Sequence, residues 1–407
     1  MTMINLVNNE KAPRKLGLYI HIPFCRTKCL YCDFCSFVSR DTTEQEEYVQ
    51  ALLREIKARG TKEYLVDTVY FGGGTPSILN VEQITRILNA LRENFVLCEN
   101  VEITLECNPT TVKRDVEDVV PYGEGRTPNG RPYGVGGYFE ELRRIGVNRL
   151  SIGIQSAVDG ELKLIGRRHT FEEARRTFFD ARESGFDNIS VDLMFGIPSQ
   201  TVDSLKYSIG EILKLGAEHI SIYSLQLEEG TPLYRMREKY DLADDDKVAD
   251  MYETVVSMMR EAGYLHYEIS NFAKDGKESR HNSKYWRLDE YLGLGLAAHS
   301  DFFGKRIENT RDIKRYISGE CVEKEAEISL SEREFEFIML GLRTKEGISK
   351  AEFLSRFGIN FDDKYGEKVK KLEKFDYFLQ NGQILALNER GFEVSNMILA
   401  QILDFDY

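Results

Sequence analysis

Three cysteines stand close together in one short segment near the start of the chain. Cys25, Cys29 and Cys32 have the spacing Cys-x3-Cys-x2-Cys. A cubane iron–sulfur cluster usually takes four thiolates, so three of them would hold three irons and leave the fourth iron open to a small molecule. Structural zinc is the alternative, but it typically uses two separated Cys/His pairs, and no second pair follows at a fitting distance. The spacing therefore favours a cluster with one open iron over zinc.

The remaining cysteines and the net charge exclude several classes of protein. The chain has seven cysteines, and a group of them in one segment is not typical of the disulfide framework of a secreted protein. Cys98, Cys107 and Cys321 are predicted to be small buried hydrophobic residues. The net charge of -13 argues against a nucleic-acid or anionic-membrane binder, because both need a basic face. The sequence predicts no signal peptide, no transmembrane segment and a cytoplasmic location.

Short β-like runs alternate with amphipathic helical stretches over the first two thirds of the chain. This alternation predicts an α/β fold with a parallel sheet. Six such units are fewer than a closed eight-stranded barrel needs, so we predict a partial (β/α)6 TIM-like barrel with ligands at the C-terminal strand ends. The predicted strands are residues 18–22, 68–71, 101–106, 149–154, 189–195 and 219–225, and predicted helices include 44–58, 81–94, 171–184 and 201–215.

Two regions depart from this pattern. Residues 121–138 are rich in Gly and Pro, which predicts an inserted, mobile surface loop. We predict one domain over residues 1–304 and a small winged-helix-like domain over residues 305–407, whose acidic balance argues against DNA binding. The elements predicted in the second region are helices at 331–342, 350–357, 362–373 and 389–403, and a hairpin of strands 377–380 and 384–387 around Asn381-Gly382.

The cysteine loop also carries a family resemblance. The segment from Tyr19-Ile-His21-Ile-Pro-Phe-Cys25 through Tyr31-Cys32-Asp33-Phe34 resembles the radical S-adenosylmethionine (SAM) superfamily. More narrowly, it resembles the family that contains oxygen-independent coproporphyrinogen III oxidase and the haem chaperone HemW, over nearly the whole chain. The resemblance implies the radical SAM barrel, a [4Fe-4S] cluster on the three cysteines, and SAM chelated at the open iron. It also implies an electron donor if SAM is cleaved to a radical.

The resemblance assigns the first set of cofactor contacts. Tyr31 would stack near the adenine of SAM, and Tyr19 matches a family contact to SAM. The Gly-rich turn after the second predicted strand would offer backbone N–H groups to the carboxylate of SAM, with Gly73, Gly74 and Thr75 as the matching residues. A tight strand-to-helix turn is the alternative interpretation of this glycine run.

Four further polar residues lie in or after predicted strands and match family positions. Glu106 would accept hydrogen bonds from the ribose or the ammonium group of SAM, and a solvent-facing acid at the end of a strand is the alternative. The other three match positions that surround a second SAM in the oxidase: Gln155, Arg167 and Asp192. Arg167 suits a carboxylate and Asp192 a cation. Binding of a second SAM stays open.

A histidine and a tyrosine are the candidate haem contacts. His281-Asn-x-x-Tyr285 matches a motif linked with haem binding in the chaperone family, and imidazole is a common ligand of haem iron. A helix N-terminus that packs aromatic residues on the barrel is the alternative. Gly293-Leu-Gly295 lacks the acidic partner of a dinucleotide-binding motif and is predicted to be a close-packed turn.

Two functions follow from the resemblance. The first is a haem chaperone that binds the cluster, SAM and haem and passes haem to an acceptor protein. The second is coproporphyrinogen dehydrogenase activity in porphyrin biosynthesis, in which a SAM-derived radical abstracts hydrogen from propionates. The oxidase has a fourth cysteine two residues after the third, where this chain has Phe34, so the loop favours the chaperone. Cys35, one position later, departs from both patterns and is predicted to be inert.

Overall fold

A large mixed sheet organises most of the chain. The computed structural model describes residues 14–39, 41–112 and 135–405. Its strands in chain order are β1 (Arg14–Ile22), β2 (Phe24–Cys25), β3 (Phe37–Val38), β4 (Tyr64–Gly73), β5 (Val96–Cys107), β6 (Arg149–Gln155), β7 (Ile189–Phe195), β8 (His219–Ser224), β9 (Leu265–Glu268), β10 (Asn271–Ala273), β11 (Tyr291–Leu294), β12 (His299–Phe302), β13 (Lys305–Asn309), β14 (Val322–Glu327), β15 (Ile348–Ser349), β16 (Phe378–Gln380) and β17 (Ile384–Leu387).

Helices connect most of the parallel strands and cover the sheet. They are α1 (Thr42–Arg59), α2 (Val81–Asn94), α3 (Val135–Ile145), α4 (Asp159–Leu164), α5 (Phe171–Glu183), α6 (Val202–Leu213), α7 (Pro232–Arg235), α8 (Asp245–Glu261), α9 (Arg280–Arg287), α10 (Ile313–Ser318), α11 (Leu330–Gly341), α12 (Lys350–Phe357), α13 (Phe361–Glu373), α14 (Glu389–Glu393) and α15 (Ser395–Leu403). Among the described residues, no helix is long and apolar enough to cross a membrane.

The strand order confirms the predicted open barrel. Strands β1, β4, β5, β6, β7 and β8 lie side by side and parallel, as βα units require. The sheet continues past β1 through β11 to β14, and past β8 through β10 to β9, so it does not close. Strand β14 forms one edge and is exposed along its whole length. All six predicted parallel strands are therefore confirmed.

Each central strand has one face of hydrophobic side chains and an opposite face of mostly polar side chains. In β6, Leu150, Ile152 and Ile154 belong to the main hydrophobic core, because every second side chain points towards the helices. Ser151 and Gln155 point to the opposite face and line an internal cavity. The same alternation recurs in β5, β7 and β8, so the inside of the partial barrel is largely polar.

The C-terminal elements have a hydrophobic core of their own. Buried residues of α11, α12, α13, α15 and β17 form a second cluster, and β15, β17 and β16 make a small antiparallel sheet. The predicted hairpin is confirmed, with Gly382 at a φ of 81° in its turn. The predicted last helix is wrong as one piece, because Val394 has a φ of -111° and separates α14 from α15.

The described residues test two of the sequence predictions only in part. Most of the predicted loop at 121–138 lies outside the described residues, and its last four residues belong to α3, so the predicted end of the loop is wrong. The division of the chain at 304/305 stays a prediction. Strands β13 and β14 follow that point, yet they pair with the large sheet up to Glu327.

The glycine turn after β11 packs directly against the strand that leads to the cysteine loop. Gly295 has a φ of 105°, and a Cβ there would lie 2.6 Å from the carbonyl oxygen of His21 and 2.7 Å from the hydroxyl of Tyr48. Tyr48 donates a hydrogen bond to the same His21 carbonyl at 2.6 Å. The predicted close-packed turn is therefore confirmed, and it supports the base of the site.

We expect Gly295→Ala to destabilise the fold more than Gly276→Ala. Both glycines have positive φ, but a Cβ at Gly276 would meet nothing within 4 Å. The control should lose about 1–2 kcal/mol of unfolding free energy from backbone strain alone. Gly295→Ala should lose about 1–3 kcal/mol more, because the added atom overpacks a buried junction. Urea unfolding followed by circular dichroism measures both, and equal losses would contradict the packing argument.

Candidate functional site

The three predicted cluster cysteines lie at the mouth of one internal cavity. Cys25 ends β2, and Cys29 and Cys32 follow in the loop, where the N–H of Cys32 donates to the carbonyl of Cys29 at 3.3 Å. All three thiols line a cavity of about 500 Å³ that extends into the partial barrel. The loop therefore sits at the C-terminal ends of the parallel strands, as expected for this architecture.

The glycine turn after β4 holds the start of the cysteine loop in place. The N–H of Gly74 donates to the carbonyl of Ile22 at 2.8 Å, and that of Thr75 to the carbonyl of Phe24 at 2.8 Å. A Cβ at Gly74 would come within 2.8 Å of both carbonyl oxygens, so a side chain there would push the loop away. The turn is thus a structural clamp as well as part of the cavity wall.

This clamp changes the interpretation of the glycine residues. Sequence reasoning expected the N–H groups of Gly74 and Thr75 to face a carboxylate, but both are already engaged with backbone carbonyls. That physical reason is therefore wrong for these two donors. Gly73, Gly74 and Thr75 all line the cavity, so a ligand contact by their carbonyl oxygens or by the Thr75 side chain stays a prediction.

His21 fastens the far end of the loop, a role that sequence reasoning missed. Its Nε2 lies 2.9 Å from the carbonyl oxygen of Cys35 and must donate to it, so its Nδ1 accepts from the hydroxyl of Tyr19 at 3.0 Å. Burial lowers the pKa of His21 to about 4, which keeps the ring neutral and suited to both contacts. Its place two residues before Pro23, at a strand end, was the available signal.

The polar groups around the thiols fit a three-thiolate cluster. The hydroxyl of Thr75 donates to Sγ of Cys25 at 3.4 Å, and Nη1 of Arg167 donates to Sγ of Cys29 at 3.6 Å. Such hydrogen bonds to sulfur stabilise and tune clusters. Among the described residues, no three His, Cys, Asp or Glu side chains are close enough together to hold a single metal ion.

Two buried carboxyl groups form the polar wall of the cavity. Glu106 accepts a hydrogen bond from the hydroxyl of Tyr70 at 2.8 Å, and burial raises the pKa of Glu106 to about 7. Asp192 accepts from Ser151 at 3.1 Å, and burial also raises the pKa of its carboxyl group. Perturbed acids in a cavity are typical of functional sites. The alternative of a solvent-facing Glu106 is therefore excluded.

Two further predicted residues lie on the same wall. Arg167 donates to the carbonyl of Gly153 as well as to Cys29, which fixes its guanidinium beside the cluster loop. Gln155 ends β6 with a φ of 76°, an uncommon value for a residue with a side chain. Both line the cavity together with Glu106 and Asp192. Strained backbone of this kind often marks functional sites.

The two predicted tyrosine contacts lie in different places. Tyr31 lines the cavity and packs against Met194 in a small apolar cluster. Tyr19 lies instead in an aromatic stack, with ring centroids 6.3 Å from Tyr70 and 6.5 Å from His281. Tyr19 is not among the residues that line the described cavity. Its contact to SAM stays a prediction, and it would need the cofactor to reach past Tyr70.

His281 and Tyr285 lie inside the partial barrel, next to this stack. Nδ1 of His281 lies 2.9 Å from the hydroxyl of Thr68, and Nε2 lies 2.9 Å from the hydroxyl of Tyr285. The ring also stacks on Tyr70 at 5.2 Å. Burial lowers the pKa of His281 to about 3, so the imidazole is neutral. Both nitrogens are therefore engaged in this conformation, and a haem contact stays a prediction.

Cys35 lies apart from the three cluster cysteines. Its carbonyl accepts from His21, and its side chain packs against the main hydrophobic core. It is not among the residues that line the described cavity. Burial raises the pKa of its thiol, as it does for Cys25 and Cys32, so its position is what separates Cys35 from the cluster cysteines. This placement agrees with the expectation that Cys35 is inert.

The deep part of the cavity contains residues that sequence reasoning did not assign. Arg149 and His219 are the first residues of β6 and β8, and both line the cavity beside Ser190 and Ser221. The available signal was the polar residue at every second position of three predicted strands. Sequence reasoning looked only at strand ends, so it missed side chains that project inward along the strands.

Family models match both parts of the chain. The radical SAM superfamily model matches residues 19–212, and the HemN C-terminal domain model matches residues 328–394. A solved structure, that of the radical SAM enzyme coproporphyrinogen III oxidase (HemN) from Escherichia coli, superposes with a TM-score of 0.79. It is 22% identical and the match covers 96% of this chain and 90% of that chain. The fold and the cysteine loop define a radical SAM protein.

Curated relatives narrow the class to one family. The haem chaperone HemW of Lactococcus lactis subsp. lactis (strain IL1403) is 32% identical over 390 residues, covering 95% of this chain and 96% of the relative. The haem chaperone HemW of Bacillus subtilis (strain 168) is 34% identical over 395 residues, covering 95% and 98%. The chain belongs to the HemW family, and a haem-related role follows from that membership.

Loss of any one cluster cysteine should remove the cluster. We expect Cys25→Ala, Cys29→Ala and Cys32→Ala to lose most of the iron and sulfide after anaerobic reconstitution, because two thiolates cannot hold three irons. Cys35→Ala is the matched control and should keep the cluster, since its thiol lies away from the cavity. Iron and sulfide analysis measures each variant. Cluster loss in Cys35→Ala, or retention in one of the other three, would contradict the assignment.

The buried acid at the cavity should make stability depend on pH. Burial raises the pKa of Glu106 to about 7, so the folded protein holds this proton more tightly than the unfolded chain does. The stabilisation is complete below the ordinary carboxyl pKa and is lost as the pH rises through about 7. Relative to Glu106→Gln, ligand-free wild-type protein should lose about 2–3 kcal/mol of unfolding free energy across this range. Denaturant unfolding of both proteins at a series of pH values measures the difference. If the two profiles stay parallel, the pKa of Glu106 is ordinary and the prediction is wrong.

Proposed function

We propose that this protein is a haem chaperone that binds a [4Fe-4S] cluster, SAM and haem and delivers haem to an acceptor protein. The observation that carries the proposal is the match to relatives named haem chaperone, which extends over nearly the whole chain. The loop supports it, because Phe34 stands where the oxidase has its fourth cysteine and is 68% exposed beside the cavity mouth. As part of the same proposal the protein acts in the cytoplasm, where thiols such as those of the cysteine loop stay reduced.

The cavity residues would hold the cofactors in a fixed arrangement. Cys25, Cys29 and Cys32 would bind three irons, and the cluster would supply an electron to SAM if SAM is cleaved, which then requires an external electron donor. Glu106 would accept hydrogen bonds from hydroxyl or ammonium groups of SAM. Tyr31 would cover the adenine from the apolar side of the cavity, where it already packs against Met194.

The far side of the same wall would position the remaining polar groups of the ligand. Arg167 would attract a carboxylate and Asp192 a cation, and Gln155 offers both a donor and an acceptor. A second SAM would contact the same three residues, and its binding stays open. Burial of the two carboxyl groups keeps water away from them and strengthens each charge-assisted contact once a ligand binds.

The haem contact would involve the segment that contains His281 and Tyr285. A neutral imidazole is the form that binds haem iron, and the lowered pKa keeps His281 in that form. Ligation would require His281 to exchange its contact with Thr68 or with Tyr285 for the metal. Both residues lie on the short helix α9. The left-handed conformation of Leu288, with a φ of 54°, ends this helix directly after Arg287.

Haem titration of the reconstituted protein tests this proposal. Wild type should bind haem stoichiometrically with a shifted Soret band, and His281→Ala should weaken binding at least about 10-fold, the loss of one strong contact. Tyr285→Phe should still bind haem through His281 but with an altered absorption spectrum. His266→Ala is the matched control, because it is also a mostly buried histidine, stacked on Phe272 at 4.4 Å. Weak binding by wild type, or equal losses in the two alanine variants, would contradict the haem contact.

An activity assay separates the chaperone from the oxidase. Anaerobic incubation with SAM, a reductant and coproporphyrinogen should give no protoporphyrinogen, whereas haem-loaded protein should transfer haem to an apo-acceptor. Steady formation of protoporphyrinogen would contradict the chaperone proposal and would favour coproporphyrinogen dehydrogenase activity. We keep the division into a barrel over 1–304 and a small winged-helix-like domain over 305–407 as a proposal. The separate hydrophobic core from Phe337 onwards supports a C-terminal domain but not the exact boundary.

A further inference from the structure

A buried arginine at the deep end of the cavity makes no direct ion pair with the described residues, although its charge acts on the nearby carboxyl groups of Glu106 and Asp192. Arg149 is only 2% exposed and is the bulkiest of the fully buried side chains, yet it lines the cavity. Its Nε has no hydrogen-bond partner, and within the described part of the chain its guanidinium makes no ion pair. The neighbouring imidazole of His219 is satisfied, because it contacts Ser190 and Tyr267, both at 2.8 Å.

An unpaired guanidinium inside a protein is energetically costly. Arginine stays protonated at any ordinary pH, so it cannot escape burial by losing its proton. The desolvation of such a charge costs several kcal/mol unless hydrogen bonds and an opposite charge offset it. Thr104, which pairs with Arg149 across β5 and β6, is also fully buried, and its hydroxyl has no partner. Two adjacent strands therefore present unsatisfied polar groups to the same side.

The register of the sheet places this arginine below the proposed SAM contacts. Glu106 pairs with Ser151, and Thr104 pairs with Arg149, which is two residues earlier on each strand. Two residues along a strand correspond to about 7 Å, so Arg149 lies one inward layer deeper than Glu106. The charge thus faces the part of the cavity furthest from the cysteine loop.

We propose that Arg149 anchors a carboxylate of a ligand that occupies the deep end of the cavity. The planar guanidinium matches a carboxylate with two parallel hydrogen bonds, and no other side chain of the cavity floor offers that geometry. Two sources carry this chemistry: a propionate of haem, which rests on the proposed function, and the carboxylate of SAM. The depth of Arg149 favours the propionate.

Binding measurements on Arg149→Gln test the anchor and distinguish the two sources. The first arm compares haem with haem dimethyl ester, which has no free carboxylate. Wild type should prefer haem, and the variant should lose at least about 10-fold in haem affinity with the ester unchanged. The second arm compares SAM with decarboxylated SAM on the cluster-loaded protein. If Arg149→Gln loses affinity for SAM but not for decarboxylated SAM or haem, Arg149 is still a carboxylate anchor, and its ligand is SAM.

Several outcomes would overturn the inference or the proposed function separately. Unchanged affinity of Arg149→Gln for both haem and SAM overturns the anchor. Equal losses for haem and its ester also overturn it, because they indicate a general disturbance of the cavity. Failure of wild type to bind either porphyrin overturns the proposed function alone. The comparison of SAM with decarboxylated SAM then tests whether Arg149 anchors a carboxylate. Arg176→Gln, at an exposed pair with Glu172, is the control and should bind as wild type does.

Thermal unfolding distinguishes a ligand anchor from a structural arginine. Without ligand, Arg149→Gln should melt at or above the wild-type temperature, because it removes a buried charge that has no direct ion pair to offset its desolvation. With haem bound, the order should reverse, since only wild type gains the carboxylate contact. A lower melting temperature of the variant in both states would make Arg149 a structural residue that balances Glu106 and Asp192.

Discussion

Two backbone hydrogen bonds between the glycine turn and the start of the cysteine loop determine the position of the whole site. They join Gly74 to Ile22 and Thr75 to Phe24, each at 2.8 Å. The donors directly follow β4, and the acceptors are the last residue of β1 and the first residue of β2, so the loop is fixed to two neighbouring strands of the large sheet. His21 then fastens the end of the same loop. The thiols owe their place to this junction rather than to contacts of their own.

The polar inside of the partial barrel is the second constraint. Hydrophobic side chains on one face of each strand pack against the helices, which leaves the other face free to carry acids, serines and an arginine. Burial of these groups costs free energy, and the large hydrophobic core offsets it. The resulting environment favours neutral carboxyl groups and strong charge-assisted bonds to a ligand. Stability and binding are therefore opposed in the same cavity.

Sequence reasoning predicted the repeating units of the fold well, because strand–helix alternation is a local pattern. It also predicted eleven residues that line one cavity, since parallel strands bring their C-terminal ends together: Cys25, Cys29, Tyr31, Cys32, Gly73, Gly74, Thr75, Glu106, Gln155, Arg167 and Asp192. It could not predict that the amides of Gly74 and Thr75 are engaged, because that depends on which strand lies beside β4. Arg149 was missed for a related reason: its depth depends on strand register, which no local pattern encodes.

The same dependence on tertiary structure explains the remaining differences. The two engaged nitrogens of His281 follow from its proximity to Thr68, which is more than two hundred residues away in the chain, at a separation of 213. The break at Val394 lies beside Gly391, Ser395 and Asn396, which are weak helix formers, and Val394 packs against the C-terminal core. Local propensity is a weak prior at such places.

An open sheet leaves two edge strands, and one of them shows how the chain avoids an unwanted consequence. Strand β14 is exposed along its whole length and has unpaired backbone groups on one side. Charged side chains nearly fill it: Glu323, Lys324, Glu325 and Glu327. A second chain that tried to extend the sheet there would bring like charges into register, which costs free energy. The partial barrel can thus stay open for large ligands without becoming a template for aggregation.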